Sequence, residues 1–401
     1  MLHDISPSYD YINDDYVQYA DYLKLYCTSQ RHPFFISDWN SDKTVLHLNS
    51  LTKYAYNNAL SHIDTYYSAG DNFCQEKIVD ILFEKYNIHI QKNQITIGNN
   101  ATSLICFCVT NLISQGISNF LAVTPVYFSA IDAIQVGHGR IAFIQPSLPN
   151  LSIDLDAFEH KIKHLNIQAV IITDPYFGFG KKIRKDIFNQ LVAICSNYDC
   201  TIICDFARYG LDWTADEEHL IYNEELLLLQ HARKYAAIYS PCKSLYANGI
   251  KTAIMITSQN IGNVTDNFTD SMLGSISAAQ ISFLDLLLDN QNQEQIVSCI
   301  KENVTKAQAN YDKINSYILG TKIISYQPDM GNYMVLGIPK KENDYKMFQN
   351  ILSHCNINTL PLSLYHFYDN SMYFFRVNLS LESVKLINSV MALEKFIIDV
   401  Q

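Results

Sequence analysis

No uninterrupted apolar run of about 18 residues occurs in the sequence, so none of it reads as a membrane-spanning helix. Positive charge is also scarce. Against 40 Asp and Glu stand 29 Lys and Arg, and the resulting net charge of −11 has no acidic tail; it disfavours attraction to DNA, RNA or an anionic membrane surface. With 14 Gly and 10 Pro in 401 residues, the chain lacks a Pro/Gly/Ser linker, a low-complexity block or an internal repeat. The N-terminal MLHDISPSYDYINDDYVQ lacks the basic start and apolar core of a secretory signal, which sets the expectation of a cytoplasmic protein. The ten cysteines lack framework or metal-ligand spacings. They lie in apolar runs such as LICFCV and TIICD, and are expected as reduced core thiols with no metal site.

What is present is a core. Hydrophobic residues make up 48% of the chain and charged residues 17%, too apolar for a disordered protein and enough for two domains around at least one large core. From about residue 74 to 260, amphipathic helical stretches alternate with short apolar runs, the pattern of a parallel sheet with crossover helices. The strand candidates are ITIG (95–98), FLAVTP (120–125), RIAFIQ (140–145), AVIITDP (169–175), TIICDF (201–206), AAIYS (236–240) and AIMIT (253–257). Helical candidates between them include ATSLICFCVTNLISQ, YFSAIDAIQVG, RKDIFNQLVAICSNYD and NEELLLLQHARK. Past residue 275 come long helical stretches and then short strands, NYMVLGI and YFFRVNLS. The expected architecture is therefore α/β: a large domain, 46–285, with a mostly parallel seven-stranded sheet flanked by helices, and a smaller α+β domain from 1–45 and 286–401.

In open parallel sheets, ligands bind beyond the carboxyl ends of the strands, and the unusual polar residues collect there. After ITIG comes NNATS, a small polar turn opening a helix, whose first N–H groups suit an anion; Asn100, Ala101 and Thr102 are the candidates, with an ordinary N-cap as the plainer reading. After TIIC comes Asp205, a carboxylate that needs a cationic or hydrogen-bonding partner if buried, which the nearby Arg208 or a capped turn would also supply. After AAIY comes SPCKSLYANGIK, residues Ser240 to Lys251. Lys243 lies just past an apolar strand, where desolvation lowers the pKa of an amine and makes a nucleophile near neutral pH, and Ser240 and Lys251 are placed to face an anion that the amine approaches.

An aldehyde-reactive Lys, a buried Asp and a cradle of Ser, basic side chain and helix N-terminus together make a pyridoxal-phosphate site. The chain resembles the class I/II aminotransferases of pyridoxal-phosphate fold type I, with matches in family order over roughly residues 60 to 380. SPCKSLYANGIK resembles the family's Ser-x-Ser-Lys, five residues, Gly-x-Arg motif; this implies Lys243 as the Schiff-base lysine and Ser240 as a phosphate ligand, with Lys251 in the place of the Arg and Cys242 in that of the second Ser. The resemblance implies further roles. In TPVYFSA, Tyr127 would stack on the pyridine face; in TIICDFARYG, Asp205 would meet the ring nitrogen; in the YYSAG segment, Tyr67 would reach a neighbouring subunit's phosphate; in YFFRVNLS, Arg376 would clamp the substrate's α-carboxylate. FFISDWNSD lies where the family's small domain closes over substrate, which makes Trp39 and Asn40 substrate candidates, and the loop near Tyr365 and His366 is another. Implied as well are an amino acid and a keto acid as partners, and a homodimer.

Two departures stand out. TDPYFGFGKKI aligns with the family's Asn-Pro-x-Asn-Pro-x-Gly stretch and puts Phe177 where an Asn usually bonds the cofactor's phenolic oxygen, and Arg208 replaces the usual Tyr three residues after the ring-binding Asp, with Tyr209 adjacent. The activity expected is α-amino transfer in specialised amino-acid metabolism. The alternatives are a decarboxylase, a β- or γ-lyase or an oxygen-using oxidase on the same fold, a non-catalytic ligand-sensing domain, and a nucleotide binder suggested by Gly178-Phe179-Gly180, which lacks the third glycine and the acidic residue such a site needs.

Overall fold

The computed structural model describes residues 14–28, 32–40, 48–60, 64, 66–68, 73–214, 223–247, 249–259, 261 and 266–400. Among these, no helix is long and apolar enough to cross a membrane. The strands, in chain order, begin with two short pieces, β1 (Phe34–Phe35) and β2 (Tyr67–Ser68). Then come the seven of the large sheet: β3 (Ile95–Gly98), β4 (Asn119–Val123), β5 (Arg140–Ile144), β6 (Ala169–Thr173), β7 (Thr201–Phe206), β8 (Tyr235–Tyr239) and β9 (Ala253–Thr257). The rest are β10 (Ser275–Ile276), β11 (Ile324–Tyr326), β12 (Tyr333–Pro339), β13 (Ile357–Asn358) and β14 (Met372–Asn378).

All seven apolar runs expected as strands form one sheet, in the order β3-β9-β8-β7-β6-β4-β5. Neighbours from β5 to β8 are parallel, while β9 runs antiparallel between β8 and β3. Every residue of β6, β7, β8 and β9 is buried, as strands covered by helices on both faces must be, which is why they carry no polar alternation. The covering helices are amphipathic. Lys185–Asn197, for example, buries Phe188, Leu191, Val192 and Cys195 at the spacing of one helical face. The stretch 223–234 is a shorter helix than its composition predicts: it stops at Leu229, because the chain must turn within the next five residues to enter β8 at Tyr235, and Gln230 is already bonded to the Tyr235 hydroxyl.

The second sheet is antiparallel, β11-β12-β14, with the 26-residue helix Gln293–Ile318 and the helix Ser383–Val400 among its neighbours. The described N-terminal residues pack on the helix Asp344–Cys355 and on β13. Tyr19, on the helix Asp14–Thr28, meets Tyr345 and Phe348 edge-on at 5.1 and 4.9 Å, and β1 pairs in parallel with β13. All ten cysteines are free thiols, seven of them buried.

Candidate functional site

The carboxyl ends of β6, β7 and β8 and the start of the helix Ala101–Ser114 meet at a cavity of about 580 Å³, whose other walls come from Trp39 and Asn40 and from Met330, Gly331 and Tyr333 before and at the start of β12. Asn100, Ala101, Thr102, Tyr127, Phe177, Asp205, Arg208, Ser240, Lys243 and Lys251 all line it, so residues spread over 150 positions of sequence converge through the sheet topology.

Lys243 lies on the single helical turn Pro241–Ser244 that caps β8. Its amine is pushed down to about 7, first by burial and then by the positive charges of Arg208, Lys251 and Arg376. Asp205 is the fifth residue of β7 and 8% exposed. Burial raises its carboxyl, against the opposing pulls of the Ala207 N–H, which donates to Oδ1 at 3.0 Å, and of Arg208 and Lys243. A carboxylate so placed is stabilised by any further positive charge brought to it.

The anion side of the cavity is equally local in origin. Asn100 caps the helix, its side-chain oxygen accepting the Ser103 N–H at 2.9 Å in a reciprocal capping box, and it lines the cavity. Ala101 and Thr102, the first two helical residues, have N–H groups without an acceptor inside the helix. The Ser240 hydroxyl donates to the Thr252 carbonyl at 3.3 Å, a long bond that an anion in the cavity it lines would replace, and Lys251 is exposed with its carbonyl held by the Gln280 amide.

The opposite wall is aromatic. The rings of Trp39, Tyr127 and Phe177 stand 5.8 to 6.0 Å apart, and Phe177 also packs on Tyr365 at 4.5 Å. Arg376 is not among the residues that line the cavity. It is 2% exposed, with its guanidinium carbon 3.8 Å from the Trp39 ring centre and 4.3 Å from that of Tyr333, and its Nη2 donates to the Ser37 carbonyl at 2.6 Å. Among the described residues its Nε and Nη1 are buried without a partner, two donors that an incoming acceptor could satisfy. Asn40 is exposed, its side chain bonded to Asp38, and its carbonyl accepts from Asn378 at 2.7 Å. Tyr67 lies in β2, which pairs with β10; its side chain lies outside the described residues.

Arg208 is held by two side-chain hydrogen bonds, with Nη1 donating to Asn332 at 3.1 Å and Nη2 to the Tyr333 hydroxyl at 3.0 Å. Asn332 and Tyr333 were not foreseeable as site residues, since they precede and open a strand of the second sheet and only the tertiary fold brings them beside β7. Gly180, which with Gly178 suggested a nucleotide binder, closes one side of the site: with φ +64°, a Cβ there would strike the Met330 carbonyl, and the Gly180 carbonyl accepts the N–H groups of Asp329 and Met330 at 2.9 Å. That docking sets the 330–333 wall against the end of β6. Among the described residues no group of His, Cys, Asp and Glu is arranged to hold a metal ion.

The chain resembles known proteins at every level of comparison. Over 149 residues it is 25% identical to a protein of Methanocaldococcus jannaschii described as "Probable aspartate aminotransferase", a match covering 37% of this chain and 39% of that relative's length. In fold it is similar to an aminotransferase of Escherichia coli, TM-score 0.81 at 14% identity with 98% of each chain covered. It is also similar to the aspartate aminotransferase of Thermus thermophilus, TM-score 0.80 at 12% identity, with 98% of this chain and 97% of that one covered. The profile of the family described as "Aminotransferase class I and II" matches residues 59–392, most of the chain and every described strand from β2 to β14, so the protein belongs to that family.

Proposed function

We propose that the protein is a pyridoxal-phosphate-dependent aminotransferase that takes the α-amino group of an amino acid and delivers it to a keto acid, with Lys243 as the residue that would hold the cofactor. The observation that carries this reading is the pairing, in one cavity, of a half-buried amine lowered to about 7 with a buried carboxylate from the adjacent strand end. Members of the family generally depend on this cofactor, and the donor set fits it. The first-turn N–H groups of Ala101 and Thr102, the Ser240 hydroxyl and the Lys251 ammonium suit a phosphate; the flat ring of Tyr127 suits a pyridine face; Asp205 suits a protonated ring nitrogen.

Pyridoxal phosphate, when bound, supplies an electron-accepting ring that stabilises negative charge at the substrate's Cα. The chain's own residues do the rest. Because the Lys243 amine is lowered to about 7, about half of it is unprotonated near that pH and would accept the proton from Cα and return it on the other side of the transfer, a role its desolvated position favours over that of a solvated lysine. Asp205 would keep a proton on the ring nitrogen, the positive charge there compensating the burial of the carboxylate. Arg376 would take the substrate's α-carboxylate on its two unpartnered donors once the Trp39 ring yields, and the aromatic wall of Trp39, Tyr127 and Phe177 would exclude water from the reacting bonds.

Phe177 offers no hydrogen-bond donor and Arg208 a permanent cation at the two places where the family pattern has Asn and Tyr, and this favours, as the second reading, another reaction on the same cofactor: decarboxylation, elimination or oxygen-dependent oxidation. A homodimer accords with the exposed apolar side chains of Tyr56, Leu60 and Tyr66, at and just beyond the helix Leu48–Leu60, and a cytoplasmic location with the free thiols. The deciding experiment incubates the protein with pyridoxal phosphate and a panel of amino acids, with and without a keto-acid acceptor, following oxygen. Keto acid formed in step with acceptor consumption supports transfer; carbon dioxide, ammonia or oxygen uptake without an acceptor supports the second reading.

A further inference from the structure

We propose that Tyr333 is a positioning residue that holds both arginines of the site, Arg208 and Arg376, and ties the Ser37–Asn40 segment across it. What the arginines then do rests on the aminotransferase reading; the contacts themselves do not.

Tyr333 opens β12 and is 4% exposed, although its side chain lines the cavity. In the β12–β14 register it stands opposite Asn378, and Val335 stands opposite Arg376, so the pleat sets Tyr333 diagonal to Arg376 on one face of the sheet. Its ring is shared. The guanidinium carbons of Arg208 and Arg376 both lie 4.3 Å from the ring centre, close enough for the ring's quadrupole to attract each. Two guanidinium groups near one another would repel, and a single aromatic ring in contact with both is what fixes their positions without adding a counter-charge that would neutralise them.

The hydroxyl does a second task. It accepts from Arg208 Nη2 at 3.0 Å and donates to the Asp38 carbonyl at 3.1 Å, joining the large sheet to the segment that carries Trp39. Around it the same segment is tied to the second sheet: Asn378 Nδ2 donates to the carbonyls of Asp38 and Asn40, Arg376 Nη2 to that of Ser37, and the Asn378 N–H to that of Ile36. Arg208 enters this network a second time through Asn332, whose amide donates to Asn378 Oδ1 at 3.0 Å. The Tyr333 hydroxyl is thus a direct side-chain link from Arg208 to the Ser37–Asn40 backbone, and among the described residues removing it leaves the longer route through Asn332 and Asn378.

The test uses holoenzyme of wild type, Tyr333→Phe, which keeps the ring, and Tyr333→Leu, which keeps neither ring nor hydroxyl. Two readouts are taken: amide hydrogen exchange of the peptide spanning residues 34–40, and the separate kcat and KM for an amino acid that the wild type turns over. For Tyr333→Phe the expected result is exchange faster by about 3- to 10-fold and KM higher by a similar factor, with kcat within about twofold. For Tyr333→Leu both effects grow by about a further tenfold as Arg376 loses its ring contact. A tyrosine of merely structural importance would lower the melting temperature without separating KM from kcat. Exchange and KM within about twofold of wild type in Tyr333→Phe overturns the proposal, and that variant decides alone if Tyr333→Leu does not fold. If the wild type turns over no amino acid, the aminotransferase reading fails while the exchange measurement still decides whether Tyr333 holds the segment.

Discussion

The two sides of the cavity are built by different means. On the sheet side, Asp205 lies in a fully buried strand and Lys243 just past another, and their behaviour follows from that placement: burial raises the carboxyl and lowers the amine, and few direct hydrogen bonds restrain either side chain. On the aromatic side, Arg376 is held by the Ser37 carbonyl, 339 residues away in sequence, and by the Trp39 ring, while Arg208 is held by the side chains of Asn332 and Tyr333, 124 and 125 residues away. The sheet side is tuned by desolvation and the aromatic side by contact. Changes on the first should therefore alter protonation and chemistry, and changes on the second should alter binding.

The largest expected effect is on the sheet side. Lys243→Ala should lower the rate of amino-group transfer by at least about 10³-fold, measured in a single turnover, without a comparable change in amino-acid affinity. Asp205→Asn, which keeps an oxygen for the Ala207 N–H but removes the charge, should cost about 10²- to 10³-fold in kcat. On the aromatic side, Arg376→Lys should act chiefly through KM, with a loss of about 10- to 100-fold in kcat/KM as a two-point grip becomes a point charge. If Arg376→Lys lowered kcat as far as Lys243→Ala and left KM alone, the contrast between the two sides would fail.

A pH series sharpens the same contrast. The folded chain holds the Lys243 amine at about 7, below its unfolded value, so the unfolded state binds the extra proton between the two; wild-type stability should rise with pH from about 7 toward the ordinary lysine range, and below 7 the cost of the buried charge is present in full. Lys243→Met, studied without added cofactor, should lack this slope and exceed wild type by about 1–3 kcal/mol at pH 6 in urea unfolding. The smallest effect concerns Asp174, fully buried, its Oδ1 accepting the Ile183 N–H and its carboxyl raised well above the usual range by burial and then by Glu225. A raised carboxyl stabilises the fold below its unfolded pKa and loses that contribution as pH rises through its folded value, so Asp174→Asn should gain about 1 kcal/mol on wild type between pH 5 and pH 8.

The difference between the two sides also governs what the sequence reveals. The seven strands were legible because each is an apolar run with helical patterns between, and strand ends then pointed to Asn100, Asp205, Ser240 and Lys243, which the fold brings to one cavity. The pairing of β12 with β14 and of β1 with β13 leaves no local periodic signal beyond short apolar stretches, so nothing near Tyr333 marked it as a neighbour of Arg208. Arg376 was placed by a motif rather than by periodicity, and the motif says nothing of the Trp39 ring that covers it or of its bond to the Ser37 carbonyl. Long-range contacts between a mixed segment and an antiparallel sheet are specified by the whole core and not by any one stretch.

The central claim is that Lys243 is the amine that joins the cofactor. Protein incubated with pyridoxal phosphate, reduced with borohydride, digested and weighed by mass spectrometry tests it directly. The account predicts one added pyridoxyl-phosphate mass on the peptide containing Lys243 and its absence in Lys243→Ala. A modified peptide that lies elsewhere in the chain, or none at all at saturating cofactor, would contradict it.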